Sequence, residues 1–203
     1  MNLRYENKLW RDGYSLIAGL DEVGRGSWAG PLVAGMVILA PKTKISGLKD
    51  SKLLSPNQRQ QLFLKIIKKA LAWSVGVVSH NLIDELGILE ANKQAFLKAI
   101  DKINVDPDYL IIDGVKFFKP PLEHQFIIDG DNKISSVAAA SIIAKVVRDR
   151  LLESFHFKYP QYNFYQNKGY GTPQHSQALE VFGLSEIHRL SYKPIQTVLE
   201  SEI

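Results

Sequence analysis

At 203 residues, 45% apolar and 23% charged, the chain has the length of one domain with room for a small appendage, and too many large aliphatic residues to be disordered. It has no cysteine, which excludes disulfide scaffolds, thiolate nucleophiles, zinc–thiolate sites and iron–sulfur clusters. Lysine and arginine outnumber aspartate and glutamate by only 25 to 21, an excess that permits phosphate contact without demanding it. The first dozen residues are charged and lack the apolar stretch of a secretory signal, and no apolar run is long enough to span a bilayer. The expectation is a soluble, cytoplasmic protein with no membrane association. No spare apolar stripe points to a partner copy, so a monomer is expected.

Residues 15–21 form an apolar run that reads as a strand, and after a glycine-rich turn residues 31–40 read as a second, antiparallel to the first because the connection is short. Ser55, Pro56 and Gln58 have the pattern of a helix start, with Leu62, Phe63, Ile66, Ile67 and Leu71 following at helical spacing. Residues 72–78 read as a third strand. Ile88, Ala91, Ala95, Phe96, Ala99, Ile100 and Ile103 form the stripe of a second helix. Two short buried strands follow, residues 109–114 and 125–130, each closing on Asp-Gly. A long helix is expected from about 135 to 155, its first half rich in alanine and so suited to close packing on a sheet. Beyond residue 160 the composition turns to Tyr, Asn and Gln, and Thr172-Pro173 opens a short helix ending near Gly183. The order implies an α/β domain, a mixed sheet with helices on its faces, over residues 1–159, with residues 160–203 as an extension.

In such sheets functional groups gather at the carboxyl ends of strands. Asp21-Glu22 is placed at the end of the first strand, Asp113 at the end of the fourth, and Asp129 or Asp131 at the end of the fifth. Carboxylates meeting at one rim repel one another, and divalent cations relieve that repulsion; oxygen donors of this kind suit Mg²⁺ or Mn²⁺. The bland alternative for each acid is a turn residue before glycine. Gly24-Arg25-Gly26-Ser27-Trp28-Ala29 has the spacing of a dinucleotide fingerprint, but Gly30-Pro31 and a strand follow where that motif needs a helix. The remaining use of Gly-Arg-Gly is close approach of bare backbone to a ligand beside one guanidinium.

The segment from Gly19 to Val33, containing Asp21-Glu22-Val23-Gly24-Arg25-Gly26, closely resembles the opening motif of the type 2 ribonuclease H family, the bacterial ribonuclease HII family. Asp50-Ser51-Lys52, Asp113-Gly114, Gly130-Asp131 ahead of the Ala138 to Lys145 run, Arg148-Asp149, Lys168-Gly169-Tyr170-Gly171-Thr172, His175, His188-Arg189 and Ser191-Tyr192 resemble its later motifs, in order, over residues from about 15 to 194. The resemblance implies a ribonuclease H-like fold: a five-stranded mixed sheet flanked by helices, with a helical C-terminal extension. It implies metal-dependent hydrolysis of RNA in RNA–DNA hybrids and incision 5′ of single ribonucleotides embedded in duplex DNA, leaving 3′-hydroxyl and 5′-phosphate ends. Two Mn²⁺ or Mg²⁺ ions would act, held by Asp21, Glu22, Asp113 and Asp131. It favours Asp131 over Asp129, where the family commonly has a non-acidic residue. Gly24, Arg25 and Gly26 would read the ribose 2′-hydroxyl, Tyr170 would stack on the next sugar, and Lys52 would contact phosphate. His175 and His188 are expected to be structural. A different metal nuclease or integrase would share the acids without needing the glycine turn together with Tyr170. A non-catalytic binding module would need no acids at strand ends.

Overall fold

The computed structural model describes residues 3–201. One five-stranded sheet is built from β1 (Ile17–Val23), β2 (Leu32–Ile38), β3 (Ala72–Val78), β4 (Tyr109–Asp113) and β5 (His124–Ile127), in the order β3-β2-β1-β4-β5. The pairs β1–β2 and β2–β3 are antiparallel and the pairs β1–β4 and β4–β5 parallel, so the sheet is mixed. The helices among the described residues are α1 (Arg4–Arg11), α2 (Pro56–Lys69), α3 (His80–Leu86), α4 (Ile88–Lys102), α5 (Gly130–Lys133), α6 (Ser135–Lys158), α7 (Phe164–Asn167), α8 (Pro173–Phe182) and α9 (Lys193–Ser201).

Each sheet face buries a different helix. On one, Leu20, Met36, Ile38, Leu110 and Ile112 pack against Ala95, Phe96 and Ala99 of α4. On the other, Val37 and Leu39 meet Ala138, Ala139, Ala140, Ile142 and Ile143 of α6, with Leu62, Phe63 and Ile66 of α2 behind. The small residues of α6 let it lie close to the sheet, and the sheet reciprocates: a Cβ at Gly35 would overlap the carbonyl oxygen of Ala140. Gly35 sits opposite Asp21 in the β1–β2 ladder, so this close approach also sets what surrounds that carboxylate. Helix α2 starts with the expected capping box, Ser55 Oγ accepting from the Gln58 amide at 3.3 Å and Gln58 Oε1 from the Ser55 amide at 3.0 Å.

Two local expectations are corrected. Asp21 and Glu22 do not end the first strand; β1 runs on to Val23, held there by β2, while its pairing with β4 stops at Leu20. The two acids therefore stand just beyond the parallel half of the sheet, on backbone still anchored by the antiparallel half. The fifth strand ends at Ile127, before either candidate acid; Asp129 follows in a left-handed turn (φ 56°) and Asp131 lies in α5. No helix among the described residues is long and apolar enough to cross a membrane.

Residues after 160 fold around Tyr162, Phe164, Leu179, Ile187 and Ile195, packed on Leu152 of α6 and Ala29. Two histidines sit inside. The Ser185 amide donates to His188 Nδ1 (2.8 Å), so His188 carries its proton on Nε2 and gives it to His175 Nε2 (2.9 Å); His175 Nδ1–H then donates to the Tyr170 carbonyl (2.9 Å). This chain of bonds needs both rings neutral. Burial and the neighbouring His175 pull His188 down to about 4. Because the folded pKa lies below the unfolded value of about 6.5, the stability present at neutral pH is lost as the pH falls between the two, by roughly 2 kcal/mol from pH 7 to pH 5. Urea denaturation at both pH values measures this, and a His188→Gln variant should lack that increment. Equal pH dependence in parent and variant would refute the neutral pair.

Candidate active site

Strand alternation puts Asp21 on the α6 face, and there it is buried near Ser141, which eases its charge slightly. Its Oδ1 accepts from the Glu22 amide at 2.8 Å. Asp113 closes β4 and accepts the Gly130 amide at 2.6 Å, which fixes the turn into α5 and with it Asp131. Asp131 is only 4% exposed, whereas Asp129 is exposed. Glu22 leans to Arg25 (3.3 Å) and Asp131 to Lys52 (3.9 Å). Lys52 stands on a single helical turn whose start is capped by Asp50, a buried acid that adds to the cluster and that the sequence showed only as a motif member.

The electrostatics show that these acids share one field. Burial, then the charges of Glu22, Asp113 and Asp131, pushes Asp21 well above the usual carboxylate range. Burial raises Glu22 against the pull of Arg25, and raises Asp113 against the Gly130 amide and Lys52. Asp131 is raised by burial and by Asp113 and Asp50. Lys52 answers in kind: burial works to lower it, but Asp131, Asp50, Asp21 and Asp113 together hold it above its ordinary value. Like-charged groups kept at unfavourable ionisation in one place are a mark of function rather than of fold maintenance.

The donor set is oxygen only, four carboxylates in a polar rim, which fits a hard divalent cation and no soft metal. Among the described residues no three acidic or imidazole side chains are already gathered around one point as they would be around an ion. Glu22 is paired with Arg25 and Asp131 with Lys52 instead.

Beside the acids, the Gly24-Arg25-Gly26 turn is held from beneath by two fully buried arginines. Arg148 of α6 donates to the Pro31 carbonyl (2.9 Å), Ser27 Oγ (2.6 Å), the Ala29 carbonyl (3.3 Å) and the Lys168 carbonyl (2.9 Å). Arg189 donates to the carbonyls of Arg25 and Gly30, both at 3.0 Å, and Tyr192 donates its hydroxyl to the Arg25 carbonyl. Gly24 has φ 97°, and a Cβ there would strike the Arg148 side chain, so only glycine serves. The amides of Trp28 and Ala29 both bond the Gly169 carbonyl, at 2.8 and 3.2 Å, which ties the glycine turn to the Tyr170 loop. Tyr170 is half-buried, its ring centre 5.3 Å from the Arg148 guanidinium and 5.8 Å from Lys145 Nζ. The structure thus brings together Asp21, Glu22, Asp113, Asp131 and Lys52, and separately joins Gly24, Arg25 and Gly26 to Tyr170; the Glu22–Arg25 pair links the two groups. Arg148 and Arg189 were legible only as members of motifs, since nothing in a sequence says that an arginine is buried.

A model of the ribonuclease HII family matches residues 18–195. A ribonuclease HII from Bacillus thuringiensis (strain Al Hakam) is 48% identical over 197 residues, covering 97% of this chain and 76% of that one. Among solved structures, the ribonuclease H2 of Pyrococcus horikoshii superposes with a TM-score of 0.81 at 30% identity, covering 92% of this chain and 98% of that one. A Bst ribonuclease HIII in complex with Mn²⁺ shares the fold with a TM-score of 0.67 at 19% identity, covering 93% and 70%. The sheet order, the rim of carboxylates and the near full-length match agree: the chain has the ribonuclease H-like fold and belongs to the ribonuclease HII family.

Proposed function

We propose that the protein is a divalent-metal-dependent endoribonuclease that hydrolyses the RNA strand of RNA–DNA hybrids and cuts on the 5′ side of single ribonucleotides in duplex DNA, leaving 3′-hydroxyl and 5′-phosphate ends. The observation that carries this reading is the meeting of four mutually repelling carboxylates with a glycine turn whose outer backbone is bare and whose inner backbone is clamped. Asp21, Glu22, Asp113 and Asp131 would hold the ions. Two bound ions supply a water of lowered pKa as nucleophile and charge compensation for the departing 3′ oxygen.

The remaining work falls to the chain's own groups. The Gly24-Arg25-Gly26 backbone, buried at Gly24 and exposed at Arg25 and Gly26, reads the 2′-hydroxyl, a group that both donates and accepts and that DNA lacks. Tyr170 stacks on the following sugar, its position supported by the Arg148 bond to the Lys168 carbonyl and the His175 bond to its own. Lys52 is 81% exposed along its side chain and free to leave Asp131 for a phosphate. The division into a catalytic unit (1–159) and an extension (160–203) belongs to this reading: Gly169 of the extension accepts from the Trp28 and Ala29 amides, which ties the Tyr170 loop to the glycine turn.

The test is incubation with a DNA duplex carrying one ribonucleotide, with Mn²⁺, with Mg²⁺ and with chelator, followed by end-group analysis. Incision 5′ of the ribonucleotide, only with a divalent ion, and a product with a free 3′-hydroxyl are expected. Cleavage of all-DNA duplex at a similar rate, or a 2′,3′-cyclic phosphate end, would refute the proposal.

A further inference from the structure

The chain's basic excess is confined to one segment. Residues 41–71 contain seven lysines and one arginine against a single aspartate, while the whole chain is only +4, so everything outside the segment is net acidic. The arginine is used internally: Arg59 donates to the carbonyls of Ser51 and Leu54 and pairs with Asp149. All seven lysines, at 42, 44, 49, 52, 65, 68 and 69, are exposed. Among the described residues, only Lys52 of the seven has a carboxylate at ion-pair distance, Asp131 of the acid cluster.

The segment is laid out as a track leading away from the acid cluster. Helix α2 begins four residues after Lys52 and runs for 14 residues, about 20 Å at 1.5 Å each. At its far end Lys69 Nζ donates to the Lys44 carbonyl at 2.7 Å, so the loop before α2 and the end of α2 meet again there. Lys65, Lys68 and Lys69 are spaced i, i+3 and i+4 and share one helix face. Lys49 and Lys65 line a groove of about 280 Å³, and Lys42, Lys44 and Lys69 a larger one of about 870 Å³.

We propose that this lysine track is a second nucleic-acid surface, which holds the sugar–phosphate backbone of the substrate duplex on one side of the cut. The assignment rests on the function proposed above, because it places the same duplex on both surfaces. Lysines are point charges without a planar fork, suited to phosphates and indifferent to sequence. The segment's one aromatic side chain, Phe63, is buried, so no ring is presented for stacking unpaired bases. A track of about 20 Å faces the phosphates of roughly six base pairs, at one charge per ~1.7 Å of duplex axis.

The test is a K42Q/K44Q/K65Q/K68Q/K69Q variant, with Lys49 and Lys52 kept. Binding to a fluorescent 30-base-pair duplex carrying one ribonucleotide is measured in chelator from 50 to 200 mM KCl, beside a 10-base-pair duplex. On the long duplex the log–log salt slope should fall by about 2 to 4 and affinity at low salt at least tenfold, since each lost phosphate contact removes ~0.9 of slope. On the short duplex the change should be under threefold, and incision of the long one should show a raised KM with unchanged kcat. An unchanged slope on the long duplex overturns the track. So does loss of binding to poly-L-glutamate with duplex binding intact, which would assign the lysines to an acidic protein. Failure of the parent to cut, with the slope still altered, would instead count against the function.

Discussion

Asp21→Asn is expected to lower kcat by ~10³-fold or more while making the metal-free protein more stable. The loss follows from the position of Asp21, buried at the centre of the carboxylate field, where it feels Glu22, Asp113 and Asp131. Removing a charge that anchors catalytic ions forfeits several kcal/mol of transition-state stabilisation, and ~4 kcal/mol is about a thousandfold. The gain follows from the same field. The folded-state pKa of Asp21 lies above its unfolded value, so the carboxyl is tolerated below the unfolded pKa of about 4 and costs stability as the pH rises through the folded one. Asn keeps the acceptor for the Glu22 amide without the charge. A gain of about 1–2 kcal/mol, or roughly 2–6 °C in Tm for a chain this size, is expected at pH 7.5 in chelator. It should shrink as the pH falls towards 4, and should shrink too when Mn²⁺ stabilises the parent but not the variant. A variant with parental kcat, or one less stable than the parent in chelator at neutral pH, would remove Asp21 from the centre of the site.

What could be read from the residues divides along the range of the interactions involved. The five strands and the long helices declared themselves because each carries its own apolar period: residues 72–78 match β3 end to end, and the Ser55–Pro56–Gln58 start of α2 is a local device with local bonds. Helix α1 did not declare itself, because its making is remote. Glu6, an acid in a charged segment, is 1% exposed and accepts from the Ser136 amide and hydroxyl at the start of α6, 130 residues away. Helix α3 is only seven residues long, with Ile83 as its one buried residue, too little for a stripe. The acids of the site were visible as residue types after apolar runs, but those runs left the choice between Asp129 and Asp131 open, and only the family resemblance favoured Asp131, because in the fold the choice is not a matter of spacing. It depends on the left-handed turn at Asp129, which sends that side chain outward and starts the short helix bearing Asp131. The same limit hid the charge partners: no spacing connects Lys52 to Asp131.

Arg148 sets the largest structural stake in the site, and its removal should be the most damaging single change outside the acids. Its guanidinium spans Pro31, Ser27, Ala29 and Lys168, so it holds the glycine turn and the Tyr170 loop to one helix. Burial lowers its pKa to about 10, which leaves it fully charged at neutral pH. Arg148→Ala would take the donor from three carbonyls in the interior, leave Ser27 Oγ with its Gly24 carbonyl bond alone, and open a cavity; a loss of about 3–5 kcal/mol is expected, read by urea denaturation. Arg148→Lys is the informative partner, because it keeps the charge and most of the volume but cannot serve four acceptors with one ammonium. That variant should fold, be less stable by about 1–3 kcal/mol, and lose at least tenfold in kcat/KM on a duplex with a single ribonucleotide. The concentration of Mn²⁺ that gives half-maximal rate should stay where it is in the parent, because no bond of Arg148 reaches the four carboxylates. A shift in that midpoint would mean that the arginine acts through the metal ligands. Parental kinetics in a folded Arg148→Lys protein would mean that the glycine turn holds its shape without the clamp, and that substrate recognition rests on Arg189 and Tyr192 alone.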